Sequence, residues 1–221
     1  MNEYSPDFIF QRFSSNNFRW NNNFKKVNMK FARIYFWGQH NFNVSLSVNN
    51  VSNYIYFNSQ ALPAQLKSWL INIYSAQLTK GFFSKGYGFN LNNKILYQYV
   101  SGSSNVIRIP PIILESSLYY ENKFFKRALT AQVGFDIFYN SAYFANAYMP
   151  ATGQFYLQNE KKIGNYPYVD FFINGKIKSV RMFLKIEHIN AGLSTFTYYM
   201  VPHYPLSERA FKFGLSWRFL D

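Results

Sequence analysis

In five segments of this 221-residue chain, apolar and polar side chains alternate one by one. In one of them Val133, Phe135 and Ile137 share one parity, while Gly134 and Asp136 have the other. The charged residues inside the five segments all have the parity opposite to the apolar residues: Glu115, Glu121, Asp136, Asp170, Lys176, Lys178, Arg181, Lys185, Glu187, Lys212 and Arg218. Successive side chains of a β-strand point to opposite sides. The pattern therefore predicts strands with one apolar face and one ionised face.

Composition excludes two other classes of chain. Aromatic residues make up 22% of the sequence and charged residues 15%, which is too apolar a mixture for a disordered chain. No stretch of sequence reaches the roughly 20 apolar residues of a membrane-spanning helix, and the cleanest charge-free run, 68–79, is shorter. The mean hydropathy of −0.21 still permits a transmembrane β-barrel, because the strands of such a barrel alternate apolar and polar residues.

The alternation predicts nine strands, less sharply in the N-terminal half. They cover residues 29–37, 42–57, 68–80, 86–99, 110–121, 127–140, 168–178, 180–190 and 209–219. The connections between them alternate in length: 38–41, 81–85, 122–126 and 179 are short, whereas 58–67, 100–109, 141–167 and 191–208 are long. Outer-membrane barrels have short turns at one rim and long loops at the other. Nothing in the architecture of a soluble β-sandwich requires short and long connections to alternate in this way.

We therefore expect one all-β domain over residues 1–221, an antiparallel transmembrane β-barrel with about 9 to 10 strands in this chain. Bacterial single-chain barrels have even strand numbers. Either residues 8–18 supply a tenth strand, or the chain is the C-terminal part of a larger barrel and is incomplete at its N-terminus. Closure is required, because unpaired backbone groups in hydrocarbon cost several kcal/mol each.

The chain carries 23 Lys and Arg against 10 Asp and Glu, a formal net charge of +13. This balance suits nucleic acid, an anionic membrane surface or an anion-favouring pore. A binder of single-stranded nucleic acid needs aromatic residues and cations on the same face. Here Phe171, Phe213 and Trp217 have the parity opposite to Lys176 and Lys212. A soluble nucleic-acid binder is therefore the third-ranked hypothesis, and no nucleic-acid partner is expected.

Candidate catalytic residues are few. His40, His188 and His203 have no partners at the spacing of a metal site or a catalytic triad, and the chain contains no cysteine. Asp136 and Asp170 could pair as general acid and base, but cations of the ionised face flank both, which favours the wall of a charged pore. The sequence predicts no enzyme, and no catalytic, cofactor-binding or metal-binding residue.

Several motifs in one order resemble a known family. They are YMPATGQFYLQ at 148–158, IGNYPYVDFFINGKIK at 163–178, EH at 187–188, HYP at 203–205 and the closing FKFGLSWRFLD at 211–221. Together with NYIYF at 53–57 and RIPPIILESSLYY at 108–120, they resemble the putative porin family of Bacteroidota outer membranes. The resemblance implies an outer-membrane β-barrel without catalytic residues. Members of that family are longer and begin with a signal peptide, which implies that this chain is a C-terminal portion.

The resulting hypothesis is a porin-like channel in the bacterial outer membrane for passive diffusion of small hydrophilic solutes. Seven cations and five anions are predicted to line the pore, which favours at most a mild anion preference: Lys94, Glu115, Glu121, Asp136, Asp170, Lys176, Lys178, Arg181, Lys185, Glu187, Lys212 and Arg218. The expected partners are outer-membrane lipid, the solutes and the barrel-insertion machinery, and the oligomeric state stays open. If ten strands form the whole barrel, its lumen is little wider than its side chains. The alternative is then a non-conducting outer-membrane barrel with a structural or partner-binding role.

Overall fold

The computed structural model describes residues 2–39, 41–66, 70–84, 88–102, 104–193 and 198–219. These residues form an all-β structure with a short helix, α1 (Phe8–Gln11), and a 3-10 turn at Ser104–Val106. The strands are β1 (Asn2–Tyr4), β2 (Arg12–Ser14), β3 (Arg19–Asn21), β4 (Val27–Gly38), β5 (Phe42–Ser52), β6 (Ile55–Phe57), β7 (Pro63–Gln65), β8 (Leu70–Phe83), β9 (Phe89–Ser101), β10 (Ile112–Phe124), β11 (Leu129–Asn140), β12 (Ala147–Met149), β13 (Gln154–Tyr156), β14 (Tyr168–Ile177), β15 (Val180–Glu187), β16 (Tyr199–Val201), β17 (Tyr204–Pro205) and β18 (Ala210–Trp217). No helix in the described ranges is long and apolar enough to cross a membrane.

Ten strands form one antiparallel sheet in the order β1-β4-β5-β8-β9-β10-β11-β14-β15-β18. All nine predicted strands are confirmed as members of this sheet, with shifted ends; the predicted strand residues 68–69 and 86–87 lie outside the described residues. Within the part of the chain that the structure describes, β1 and β18 do not pair with each other. The sheet is therefore open, and its closure into a barrel stays a prediction.

The predicted strand 42–57 is wrong at its C-terminal end. β5 stops at Ser52 because the next residue, Asn53, has a φ of 57° that breaks the extended chain, and β6 belongs to a separate sheet. In the same way β15 ends at Glu187, because His188 has a φ of 52°. Residues with positive φ are uncommon outside glycine and interrupt a strand.

The prediction of a tenth strand at residues 8–18 is also wrong. This segment forms α1 and then β2, which pairs with β3 outside the main sheet. Its first apolar residues are consecutive rather than alternating, and the carbonyl oxygen of Ile9 accepts a hydrogen bond from Trp20 Nε1 at 2.8 Å. The tenth strand is instead β1, whose three residues pair with 27–29 of β4.

The connections between the sheet strands alternate in length, as predicted. Those that follow β4, β8, β10 and β14 take two to five residues. Because neighbouring strands are antiparallel, these four connections lie at the same end of the strands, which we call the turn end. The connections that follow β5, β9, β11 and β15 are longer and lie at the opposite end, the loop end.

The buried apolar core lies at the loop end. Val51, Ile71 and Val106 form its buried centre. The loop after β5 and the loop after β11 contribute to one four-stranded sheet, β12-β13-β6-β7, in which Tyr156 of β13 lies opposite Phe57 of β6 in a parallel pairing. These two loops are therefore held together above one end of the main sheet.

The apolar face of the main sheet is exposed. In-register pairing brings apolar residues of five strands into one row: Tyr120, Val133, Ile173, Leu184 and Phe213. Phe213 is 76% exposed, and Leu184 is 45% exposed. The chain has 15049 Å² of accessible surface, whereas a compact soluble protein of its mass has about 10,500 Å². The sheet therefore does not enclose its apolar side chains as a water-soluble core would.

Candidate functional site

The ionised side chains share the other face of the sheet, which we call the polar face. Ten of the twelve predicted pore-lining residues lie on strands and point to it: Lys94, Glu115, Glu121, Asp136, Asp170, Lys176, Arg181, Lys185, Glu187 and Lys212. Lys178 lies in the turn between β14 and β15, and Arg218 follows the last residue of β18. The sheet register thus keeps the separation of faces that the alternation predicts. That these residues line a pore stays a prediction.

Three ion pairs join neighbouring strands across the polar face. Lys94 Nζ lies 3.1 Å from Glu115 Oε1, and the two residues are direct ladder partners. Two further pairs run diagonally: the ammonium and carboxylate atoms are 2.8 Å apart in Lys185–Asp170 and 2.7 Å apart in Lys212–Glu187. Half of the predicted pore-lining residues are therefore in ion pairs within the polar face.

The remaining carboxylates accept hydrogen bonds from neutral side chains. Ser117 Oγ donates to Asp136 Oδ1 at 2.7 Å, and Gln132 Nε2 donates to Glu121 Oε2 at 2.7 Å. Asp136 lies directly opposite Asp170 in the ladder. Both oxygens of Asp170 are already engaged, one by Lys185 and the other by the backbone N–H of His188 at 2.8 Å. This arrangement suits a charged wall better than an acid–base pair.

A band of cations lies at the turn end of the polar face. Lys176 and Arg181 are direct ladder partners, and Thr130 separates Lys176 from Lys123 in the same row. Like charges directly opposite each other destabilise a sheet. Within the described residues neither Lys176 nor Arg181 forms a salt bridge, so their charge remains available to anions in solution.

Two cavities border these groups. A cavity of about 350 Å³ is lined by Lys94, Glu115, Asp136 and Asp170 among others, and we call it the charged cavity. A cavity of about 710 Å³ nearer the turn end is lined by Glu121, Lys176 and Arg181 among others. The polar face therefore has cavities next to seven of its ionised side chains, with mixed charge in one cavity and excess positive charge in the other.

Sequence reasoning missed the role of His188. This residue is fully buried; its Nε2 lies 2.8 Å from the hydroxyl of Tyr166 and its Nδ1 lies 2.6 Å from the carbonyl oxygen of Ser207. The rings of Tyr168 and Tyr198 also pack against it, with centroid distances of 4.5 and 4.6 Å. His188 therefore joins the loop after β11 to the loop after β15. The residue belongs to the EH pair of the family resemblance, but no spacing along the chain reveals these contacts.

A family model described as a putative porin matches residues 1–221. No curated protein matches the chain, and no solved structure matches it. The match agrees with the family resemblance of the sequence motifs. The assignment of the chain to the Bacteroidota stays a prediction.

Proposed function

The chain belongs to this porin family, and from that premise we propose that it is a porin-like protein of the bacterial outer membrane. Its sheet is part of a transmembrane β-barrel whose apolar face contacts lipid. The polar face lines a water-filled lumen through which small hydrophilic solutes diffuse passively. The proposal contains no catalytic step, and it includes the barrel-insertion machinery as a partner during assembly.

The separation of the two faces carries the proposal. Outer-membrane strands place apolar residues toward lipid and polar residues toward the lumen. Here one face exposes residues such as Ile173 and Leu184, while the other carries the ion pairs and the band of cations. The short and long connections at opposite ends of the strands are a second feature of this class.

The open edges of the sheet must find hydrogen-bond partners if the sheet lies in a membrane. Most of β4 and all of β18 have one edge without a strand partner among the described residues. Unpaired N–H and C=O groups are not tolerated in hydrocarbon. Closure of the wall must therefore supply hydrogen-bond partners to both edges.

The charge pattern suggests how such a lumen selects solutes. The three ion pairs contribute no net charge to the wall. Lys176 and Arg181 remain as adjacent cations at the turn end, where a ring of one charge sign attracts the opposite ion. A mild preference for anions follows.

A non-conducting barrel is the second candidate, and the number of strands favours it. An eight-stranded barrel is already filled by its side chains, whereas open aqueous pores have 16 to 18 strands. A wall of about ten strands would leave little free lumen, and the ion pairs across the polar face would then serve stability. Such a barrel would have a structural or partner-binding role in the outer membrane.

Planar-bilayer recording tests the proposal. We expect the purified protein, inserted from detergent, to give stepwise conductance increments and to migrate on gels at a position that changes on heating. Heat-dependent migration without conductance would favour the non-conducting barrel. A protein that is fully soluble and monomeric without detergent would contradict both membrane hypotheses.

A further inference from the structure

A cavity of about 480 Å³ opens at the loop end of the polar face. We call it the tyrosine cavity, because five tyrosine side chains line it: Tyr143, Tyr166, Tyr168, Tyr198 and Tyr199. Apolar side chains, including Met200 and Leu206, fill the wall between them. Protein interiors leave few voids larger than a water molecule, whereas small-molecule sites occupy about 300 to 1,000 Å³. The volume of this cavity falls within the range of small-molecule sites.

Contacts among the protein's own residues hold three of the five rings in place. Tyr166, Tyr168 and Tyr198 all pack around the buried ring of His188, with centroid distances of 5.5, 4.5 and 4.6 Å. A backbone bridge fixes Tyr143, whose N–H donates to the carbonyl oxygen of Ile163 at 3.0 Å. A cavity whose walls are ordered before binding costs less conformational entropy when a ligand enters.

Tyrosine gives the cavity two kinds of contact. Each ring offers a flat apolar surface, and each hydroxyl can donate and accept hydrogen bonds. Burial raises the pKa of the Tyr143 hydroxyl, so it stays protonated at neutral pH and can donate to a ligand. The Tyr166 hydroxyl is already engaged by His188 Nε2 and by the carbonyl oxygen of Asn190. A ligand that fits this lining has flat apolar patches bordered by hydroxyl groups.

The surrounding charges exclude a cationic ligand. Lys161 Nζ already lies 3.4 Å from the centre of the Tyr199 ring, where the cation of an aromatic cage would otherwise sit. Among the described residues that line the cavity there is no carboxylate. A positively charged ligand would therefore meet a resident ammonium and no counter-ion.

The position of the cavity excludes a purely apolar ligand as a solute. Phe138 and Tyr168 line both the tyrosine cavity and the charged cavity next to it. A molecule that moves further along the polar face thus passes from aromatic rings to Lys94, Glu115 and Asp136. Only a hydrophilic molecule can make that transfer without a large desolvation cost.

We propose that the tyrosine cavity binds a pyranose ring of an oligosaccharide at the entrance of the lumen. A pyranose ring presents C–H faces that stack on tyrosine rings, and its hydroxyl groups match the phenol groups and the Asn140 side-chain amide that line the cavity. That the bound sugar is also a transported solute rests on the proposed channel function. That the cavity binds a sugar rests on the cavity alone. His188 acts as a positioning residue that orients three of the rings.

Glycan binding in detergent tests the proposal. The solubilised full chain is applied to an array of neutral, acidic and amino-sugar oligosaccharides, and the affinity for the strongest ligand is measured by calorimetry. We expect Tyr199→Ala to weaken that affinity at least tenfold and Tyr199→Phe to weaken it less, because phenylalanine keeps the stacking surface. Tyr97→Ala is the matched control, since Tyr97 is an exposed tyrosine on the apolar face. Heat-dependent migration of each variant reports that the fold is intact.

Three outcomes would overturn the proposal. They are binding to no glycan on the array, equal binding by the wild type and folded Tyr199→Ala, and binding of tetramethylammonium or a fatty acid in place of any glycan. The assay needs no bilayer, so it is separate from the test of conduction. If the protein binds glycans without conducting, the binding site is supported and the channel function is contradicted. If it conducts without binding any glycan, the channel function is supported and the binding site is contradicted.

Discussion

At the residue scale, the three ion pairs of the polar face differ in how much water surrounds them. The side chains of Lys185 and Asp170 are 28% and 11% exposed, whereas those of Lys94 and Glu115 are 40% and 50% exposed. Water and salt screen an exposed pair, so such a pair contributes only about 0 to 1 kcal/mol. A desolvated charge that loses its partner costs more, because neither water nor protein then compensates it.

Asp170→Asn should therefore destabilise the protein more than Glu115→Gln. We expect a loss of about 1 to 3 kcal/mol for Asp170→Asn, because Lys185 loses its partner while the asparagine oxygen can still accept the hydrogen bond from the His188 backbone. Glu115→Gln, the matched control, should change stability by about 1 kcal/mol or less. Urea unfolding of the membrane-reconstituted protein measures both values. Equal losses would contradict the difference in screening.

The residue scale also marks a limit of prediction from sequence. The alternation places Lys94, Glu115 and Asp170 on one face, because parity along a strand is a local property. It does not identify their partners, which depend on the register between strands. For the same reason His188 looks isolated in the sequence: Tyr166 and Ser207, whose atoms it contacts, are 22 and 19 residues away.

At the scale of elements, the β14–β15 hairpin separates the two environments most clearly. Ile173 and Leu184 lie opposite each other on the apolar face. Asn174, the next residue along β14, lies on the polar face and donates a hydrogen bond to Gln132 at 3.3 Å. Adjacent residues of one strand thus face lipid and water in the proposed membrane-embedded barrel.

Lysine substitutions on this hairpin should show that difference. We expect Ile173→Lys or Leu184→Lys to cost about 2 to 4 kcal/mol near the bilayer midplane, because each places an ammonium group in hydrocarbon. Asn174→Lys should cost little, because its ammonium group reaches water. Equilibrium unfolding from lipid vesicles measures the three values, and equal tolerance at all three positions would contradict the assignment of faces.

Single cysteines give a second test of facing, because the natural chain contains none. In liposomes, we expect Asn174→Cys and Ser117→Cys to react with a charged, membrane-impermeant maleimide. Ile173→Cys should instead resist the charged reagent, since in the proposed barrel its side chain faces lipid, where the reactive thiolate does not form. Rapid reaction of Ile173→Cys with the charged reagent would exclude a lipid-facing apolar surface.

Sequence predicted the long strands far better than the short ones. A strand of ten or more residues shows its parity several times, and β10, β11 and β14 accordingly begin and end within a few residues of the predicted bounds. Strands β6, β7, β12 and β13 have three residues each, too few to show alternation. They form through contacts between loops that are distant in sequence, such as Tyr156 with Phe57.

At the scale of the whole molecule, the band of cations and the three neutral pairs make the polar face electrically asymmetric. The excess positive charge lies at the turn end, around Lys176 and Arg181. The aromatic tyrosine cavity lies at the loop end. A solute that crosses the proposed lumen would therefore meet aromatic rings, a balanced charged region and a cationic band in turn.

Replacing the cations of the band with carboxylates should reverse the ion selectivity of the proposed channel. With a salt gradient across a planar bilayer, we expect the wild type to favour anions mildly and the double variant Lys176→Glu with Arg181→Glu to favour cations, so that the reversal potential changes sign. Lys25→Glu with Lys26→Glu, which changes the same charge in the exposed segment before β4, is the matched control and should keep the original sign. An unchanged sign in the first variant would exclude this band from the conduction path.

The two edges of the sheet that have no strand partner among the described residues have a consequence for biogenesis. In water, the outer edge of β18 offers a row of backbone donors and acceptors beside exposed Phe211 and Phe213, and such edges template association with other chains. The rate of that self-association rises with concentration, whereas membrane insertion is a first-order step once the chain is delivered. For a chain that inserts into the outer membrane as proposed, we expect newly made copies to depend on a holdase chaperone that masks the edge until insertion. Cells depleted of that chaperone should then accumulate this chain as sedimenting aggregates.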